Sequence, residues 1–352
     1  MSNPLRELAD VSEADAADAG GAGGVRDKAA KPGAVAVDET SEAAGADNTG
    51  VIRETGQAHE SGAVDGVDGM PAPVCDVAPA AIDPERLSPQ ASFAVRRFRH
   101  GGWQQASDEL AEEVPVALEF NGISHVVMLA TPADIEDFAL GFALSEGILN
   151  DRRECYGVDV SATSLGITAH LDISSRAFAG LKERRRNLTG RTGCGLCGTE
   201  SLDQVLRPLP SAGEPLRVRH AALAAAHAGL AARQPLNGVT GAVHGAAWCS
   251  PQGEILSLRE DVGRHNALDK LIGALAREGR AFDGGFVLMT SRASVEIVQK
   301  AAQVGIPMVA AVSAATALAV RTAQAAGVTL VGFVRAEQCV IYTGGATLDA
   351  QA

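Results

Sequence analysis

Sustained patterning of apolar and polar positions begins near Phe93. Phe93–Phe98 and Glu113–Phe120 read as strands, and Asn121-Gly122 is a strong two-residue hairpin signal leading into Ser124–Ala130. Thr131-Pro132-Ala133-Asp134 predicts an N-cap with proline at the first helical position, ahead of a helix over Ile135–Leu144 that Gly147 ends. Val158–Ser161 and Gly166–Ile173 read as a further strand pair. Residues 89–180 are therefore expected to form a small α+β unit.

The second half carries a different rhythm. A helix is predicted over Ala221–Ala232, then a hairpin of Val243–Cys249 with Glu254–Leu258 across Ser250-Pro251-Gln252-Gly253. A regular alternation follows: helix 264–278, strand Phe286–Thr290, helix Ser294–Val304, strand Pro307–Val312, helix Ala314–Ala326, strand Val328–Phe333 and a last strand Cys339–Thr343. Alternation with short Gly/Pro joints predicts an α/β fold over 201–346, built on a largely parallel sheet with helices on both faces and followed by a short tail, 347–352. Ligands of such sheets lie outside the carboxyl ends of the strands. Here those ends carry Thr290-Ser291-Arg292, Ser313 and Phe333-Val334-Arg335, hydroxyls and arginines suited to phosphate or guanine edges.

Residues 1–88 are mostly Ala, Gly, Asp, Glu and Pro with no period, a composition that cannot bury enough apolar surface to offset ordering entropy; a disordered tail is expected there. The segment also explains the chain's acidity. Residues 1–90 hold 6 basic and 17 acidic side chains, leaving 24 and 26 for the remainder, which is nearly neutral and gives no support to nucleic-acid binding. No signal-peptide progression opens the chain and no apolar run is long enough to span a membrane, so a cytoplasmic protein is expected. The 6 cysteines are too few and too scattered for a disulfide framework.

Two of those cysteines stand apart from the rest. Gly190-Arg191-Thr192-Gly193-Cys194-Gly195-Leu196-Cys197-Gly198 places paired thiols in a glycine loop, within a connecting segment 181–200 and ahead of a helix-like run from Thr199 to Leu206. Nearby positive charge and a helix start favour the thiolate, the nucleophilic form. The loop formally contains the spacing of a dinucleotide fingerprint. The segment before it, Lys182-Glu183-Arg184-Arg185-Arg186-Asn187, is no buried strand, and that reading fails. A zinc site lacks a second ligand pair, since His220, His227, His244 and His265 are isolated, and no zinc is expected. A mobile reactive pair is the preferred reading. The basic run before it fits either a solvated face or a docking patch for an anion.

Two further stretches are candidates for ligand contact. Arg259-Glu260-Asp261-Val262-Gly263-Arg264-His265-Asn266-Ala267-Leu268-Asp269-Lys270 crowds charged and hydrogen-bonding side chains at a strand-to-helix junction. A helix cap explains Asp261, but not the density of Arg264, His265, Asn266 and Lys270, so a polar ligand site is the favoured reading. His244, on an otherwise apolar strand, is equally a core histidine or a site residue; Gly245 and Ala246 leave space beside it.

With these motifs located, the chain resembles the formate dehydrogenase accessory sulfurtransferase family, FdhD. The matching stretches are the cysteine loop from Arg191, Thr240-Gly241-Ala242-Val243-His244, the run Arg259–Lys270, Ser291-Arg292-Ala293-Ser294-Val295-Glu296 and Leu330-Val331-Gly332-Phe333-Val334-Arg335, with Asn121-Gly122, Thr131-Pro132 and Gly141-Phe142 through Ser145-Glu146-Gly147 in the smaller unit. The resemblance implies a C-terminal three-layer, cytidine-deaminase-like sandwich. It further implies sulfur transfer from a cysteine desulfurase, through a persulfide on the CxxC loop, to the molybdenum bis(molybdopterin guanine dinucleotide) cofactor of formate dehydrogenase. We take Cys194 as the carrier and Cys197 as its helper, with the holder at the moment of transfer left open. Phe333, Val334, Arg335, Ala336, Glu337 and Gln338 are the implied nucleotide contacts, joined by His244, Arg264, His265, Asn266, Ser291 and Arg292 from the polar edge. A homodimer is implied as well. The alternative from another class is a non-catalytic chaperone that binds the cofactor and the dehydrogenase; deamination lacks its zinc-binding signature.

Overall fold

The computed structural model describes residues 82–188, 208–345 and 348–349, all within one compact unit. The cysteine loop and the predicted helix after it lie outside the described residues, as does nearly all of the expected N-terminal tail.

The described chain opens on a two-stranded antiparallel ribbon, β1 (Gln90–Arg99) and β2 (Gly102–Ala111). His100 and Gly101 both take positive φ, the geometry of a tight hairpin turn. Strand β2 is absent from the sequence reading for a physical reason. The ribbon buries little of either face, with Phe93, Phe98 and Trp103 all more than half exposed, so no alternation marks it.

Next comes a four-stranded sheet made of two hairpins. One is β3 (Val114–Phe120) with β4 (Ile123–Ala130), turning at Asn121-Gly122; the other is β5 (Cys155–Thr163) with β6 (Gly166–Ile173). The order across the sheet is β4-β3-β6-β5. Every second residue of β3, from Val114 to Phe120, is buried, and these side chains share one cluster with Phe138 and Phe142 of the helix α1 (Ile135–Ser145). Helix α2 (Ser175–Leu188) follows β6, so residues 181–188, assigned from sequence to the cysteine segment, are helical.

The start of α1 differs from expectation. Asp134 takes the N-cap position at φ 53° with no side-chain cap, and Thr131-Pro132 precedes the helix. Thr131 is fully buried, and its hydroxyl accepts the Val262 N–H at 3.2 Å. It ties the small sheet to a distant junction instead of capping its own helix.

The larger sheet has six strands: β8 (His244–Cys249), β9 (Ile255–Asp261), β10 (Phe286–Met289), β11 (Met308–Ala311), β12 (Thr329–Gly332) and β13 (Val340–Thr343). Their order is β13-β12-β11-β10-β8-β9. A largely parallel sheet is the expectation; only β10–β11 and β11–β12 are parallel. The β8–β9 hairpin joins antiparallel to β10, and β13 returns antiparallel beside β12 because the link between them is too short for a crossover. A short parallel pair, β7 (Val218–Arg219) with β14 (Leu348–Asp349), completes the strands and draws part of the expected C-terminal tail into the fold.

Helices lie on both faces of the six-stranded sheet, as the alternation predicts. Leu223 and Ala226 of α3 (His220–Gly229) pack on the side formed by Ala247, Phe286, Leu288, Met308 and Ala310. The opposite side, with Trp248, Val287, Met289 and Val309, meets α5 (Arg264–Arg277), α6 (Val295–Gln303) and α7 (Ala317–Ala326). Short helix α4 (Pro235–Thr240) leads into β8. One continuous buried cluster runs from the small sheet through α1 into these helices. Among the described residues, no helix is long and apolar enough to cross a membrane.

The two sheets are joined where α1 crosses α5 backbone to backbone. A Cβ built on Gly141 would stand 1.7 Å from the Asp269 carbonyl oxygen, and one on Gly273 would stand 1.8 Å from that of Asp137. Gly141→Ala and Gly273→Ala are each expected to lower unfolding free energy by about 3 kcal/mol or more, measured by urea titration. An exposed control, Gly180→Ala, whose Cβ meets nothing within 4 Å, should show no such loss.

Candidate functional site

The parallel order of β10, β11 and β12 sends their carboxyl ends to one edge of the sheet, and the antiparallel hairpin brings the start of β8 and the end of β9 to the same edge. That edge therefore gathers His244, Asp261 to His265, Thr290 to Glu296, Val312 to Thr316 and Phe333 to Arg335. The start of β8 and the end of β12 lie three strand positions apart in the sheet, roughly 14 Å at ordinary strand spacing. The predicted residues thus fall into two groups on one platform.

Most of the polar stretch from Arg259 to Lys270 serves the fold. Asp261 and Lys270 are both fully buried and paired at 2.7 Å. Asp261 also accepts from the backbone of Thr131 at 3.0 Å and Gly263 at 2.8 Å, and from the Asn266 amide at 2.9 Å. Lys270 donates to the Thr131 carbonyl at 2.9 Å. Glu260 accepts the Leu236 and Asn237 N–H groups at the start of α4. Arg259 and Arg277 both grip Asp137 of α1. Asp269 is held by Ser145 and Lys300, and burial pushes its carboxyl upward against the pull of Lys300. Asn266, assigned to a ligand from sequence, is instead buried, with its amide nitrogen donating to Leu129 and Asp261.

Arg264 and His265 are different. Both are partly exposed at the start of α5, whose N-cap is Gly263 and carries no side-chain cap. The His265 Nε2 lies 2.6 Å from Oε2 of Glu296, in the first turn of α6, and 3.4 Å from the Ser294 hydroxyl. The Arg264 guanidinium stands 3.7 Å from the same carboxylate oxygen. The hydrogen bond from His265, reinforced by both positive charges, holds Glu296 below the usual carboxylate range. Glu296 and Ser294 are not among the site residues assigned from sequence, although Ser-x-Glu at a helix start is visible there.

His244 is half-buried beside this group. Burial first, then the Arg264 and His265 charges, lowers its pKa from the ordinary 6.5, so the ring resists protonation. The space expected over Gly245 is filled. A Cβ there would meet the Gln234 side-chain nitrogen at 2.6 Å, and that nitrogen is buried without an acceptor among the described residues. Gln234 is a third residue that sequence reasoning misses. Ser291 is buried with its hydroxyl turned onto the Arg292 carbonyl, whereas Arg292 is exposed and forms no ion pair among the described residues.

At the β12 end, Phe333 adopts φ 52°, a left-handed conformation uncommon for a bulky residue, with its side chain 41% exposed. Val334 is buried in the core beneath the sheet and offers no side chain to a ligand. The Phe333, Val334 and Arg335 N–H groups are committed to Ser313, Ala311 and Gln338 carbonyls. Arg335 Nη1 donates to the Val312 and Val334 carbonyls. Ala336, Glu337 and Gln338 lie exposed, and among the described residues their N–H groups have no acceptor. A short anion-receptive backbone turn is thus set beside an exposed aromatic ring.

Cys194 and Cys197 lie outside the described residues. Of the described cysteines, Cys249 is buried and its thiol is pushed up to about 12, while burial also raises Cys155 and Cys339, which makes all three poor thiolates. Among the described residues, no three His, Cys, Asp or Glu side chains converge on a possible metal position.

Fold and edge together define a mixed α/β protein with polar and cationic side chains gathered at one edge of its larger sheet. The chain belongs to the FdhD/NarQ family, whose model matches residues 111–349. It is 60% identical over 259 residues to the sulfur carrier protein FdhD of Variovorax paradoxus, covering 74% of this chain and 91% of that protein. Identity to the sulfur carrier protein FdhD of Cupriavidus necator is 52% over 278 residues, covering 79% and 96%. A crystal structure described as that of a formate dehydrogenase accessory protein from Desulfotalea psychrophila shares the fold, with a TM-score of 0.59 at 21% identity over 74% of this chain and 100% of that one.

The lowered His244 pKa sets a sign for pH dependence. The unfolded ring takes up protons near its ordinary 6.5 while the folded ring resists, so this contribution to stability is present above that value and is lost as pH falls through the lowered one. Replacing Arg264 by Met is expected to move the His244 titration midpoint upward, read from its ring proton resonances.

Proposed function

We propose that this chain is a sulfur carrier that serves formate dehydrogenase. The observation that carries the reading is its identity to sulfur carrier proteins over nearly their whole length, with Cys194 and Cys197 inside the matched interval. In the first step the Cys194 thiolate attacks the outer sulfur of a cysteine desulfurase persulfide. The new bond joins Cys194 to that sulfur, the desulfurase S–S bond breaks, and the desulfurase cysteine leaves as thiolate, so no external oxidant or reductant is needed. Cys197 holds or relays the sulfur. For delivery, the Cys197 thiolate attacks the inner sulfur of the Cys194 persulfide, its S–S bond breaks and a Cys194–Cys197 disulfide forms. The outer sulfur leaves at the sulfide level for the molybdenum bis(molybdopterin guanine dinucleotide) cofactor, bound as substrate, the two electrons coming from the paired thiols.

The sheet edge suits the nucleotide ends of such a substrate. Phe333 offers a face on which guanine can stack, and Arg335 with the 336–338 turn offers donors to phosphate. His244, Arg264, His265 and Arg292 supply polar and cationic groups further along the edge. We read the larger sheet with its helices as the three-layer, cytidine-deaminase-like sandwich, and the working particle as a homodimer.

Two measurements test the reading. After incubation with a cysteine desulfurase and cysteine, mass spectrometry should find one added sulfur atom on the peptide containing Cys194 and Cys197; full loading of the Cys194→Ala protein would overturn the assignment. Calorimetric titration with GDP should show roughly tenfold weaker binding for Phe333→Ala, the loss expected for one stacked base. Unchanged affinity would remove Phe333 from the site.

A further inference from the structure

Glu296 is an unexpected residue on an edge read as an anion-binding platform. Its carboxylate makes three contacts, and all three fall on one oxygen. Oε2 lies 2.6 Å from His265 Nε2, 3.7 Å from Arg264 Nη2 and 3.3 Å from the Ser294 hydroxyl, while Oε1 has no partner among the described residues. The histidine is equally one-sided. Both of its contacts, to Glu296 and to Ser294, are made through Nε2. A serine–histidine–acid relay uses the two ring nitrogens separately, so this geometry is not such a relay. What it does is anchor the ring by one nitrogen and leave Nδ1 unengaged among the described residues.

The simplest account is a clamp between the first turns of α5 and α6, with Glu296 also favourably placed against the α6 dipole. A clamp does not account for Arg264. Its guanidinium forms an ion pair at 3.7 Å but no hydrogen bond among the described residues, and its Nε is buried without an acceptor. A guanidinium carries a planar fork of N–H donors, and those placed for structural reasons are normally satisfied, as Arg259 and Arg277 are on Asp137. Arg264 and His265 therefore share one feature: each is fixed by Glu296 at one end and has donor or ring-nitrogen capacity left at the other.

Resting on the nucleotide-site reading above, we propose that Glu296 is a positioning residue, whose single engaged oxygen gathers His265 and Arg264 into a cradle for a phosphate group of the nucleotide. Glu296 does not touch the ligand. It holds the ring by Nε2, so that the imidazolium form presents its Nδ1–H as a donor to the phosphate, and keeps the guanidinium beside it with donors unassigned. The class of ligand recognised is a phosphate or diphosphate ester, held as a second phosphate contact apart from the guanine stack and the Arg335 turn at the β12 end of the same edge.

The test uses the full chain with Glu296→Gln, Glu296→Ala and Glu296→Asp, titrated by calorimetry with GDP and with inorganic pyrophosphate. Gln and Ala are expected to weaken both probes roughly tenfold, the loss of about one charge-assisted hydrogen bond. Asp keeps the carboxylate and is expected to retain most of the affinity, which a residue acting only through side-chain volume would not predict. In the unsubstituted protein, pyrophosphate should shift the His265 ring resonances, and the Gln substitution should abolish that shift. Tighter binding by Glu296→Gln would overturn the proposal, because the carboxylate would then be a competitor of the ligand. Unchanged affinity for both probes would also overturn it. If the unsubstituted protein binds pyrophosphate but not GDP, the nucleotide reading fails and the cradle stands; if it binds neither, both fail. Should Gln and Ala not fold, the Asp variant and the ring resonances decide.

Discussion

The described structure depends on the contact between α1 and α5. Gly141 and Gly273 let two helix backbones meet with no side chain between them, a separation that no other residue type would permit. That proximity buries charged groups, and each has to be matched. Asp137 meets Arg259 and Arg277, Asp269 meets Lys300 and Ser145, and Asp261 meets Lys270. Burying ions without partners costs several kcal/mol each, so the matching is a condition of the close approach and not an ornament to it.

The same constraint places the site. Asp261 ends β9, orders the turn at Gly263 and receives the backbone of Thr131 from the small sheet. The start of α5 is thereby fixed from behind, and Arg264 and His265 are held at the platform edge by groups that never reach it. Rigid support of this kind suits the phosphate-binding role proposed for them.

Legibility in the sequence follows the range of the interaction. Hairpin β3–β4 and helices α5 to α7 are readable because alternation, Asn-Gly and helix starts are local signals. Strand β2 is not, since a ribbon exposed on both faces has no alternation to read. The directions of β8 and β13 are hidden because periodicity marks a strand without marking its sense. Thr131 reads as a cap, and the Arg259–Lys270 run as a ligand site, for one reason: the groups that engage them, among them Val262, Asp137, Ser145 and Lys300, are far away in the chain. The density of polar residues points to Arg264 and His265, but Glu296, which holds them, gives only a modest helix-start pattern. The paired cysteines are legible from spacing alone and lie outside the described residues.

The charge matching between α1 and the later helices has a consequence for synthesis. Thr131 and Asp261 are separated by 130 residues, Ser145 and Asp269 by 124, and Ser145 and Lys300 by 155. At ordinary translation speeds the small sheet leaves the ribosome on the order of ten seconds before its counter-charges exist. During that interval Asp137 has only water in place of Arg259 and Arg277, and the glycine face of α1 has nothing to close against. The nascent first half is thus a waiting structure, and completion of the chain is the event that lets it dry.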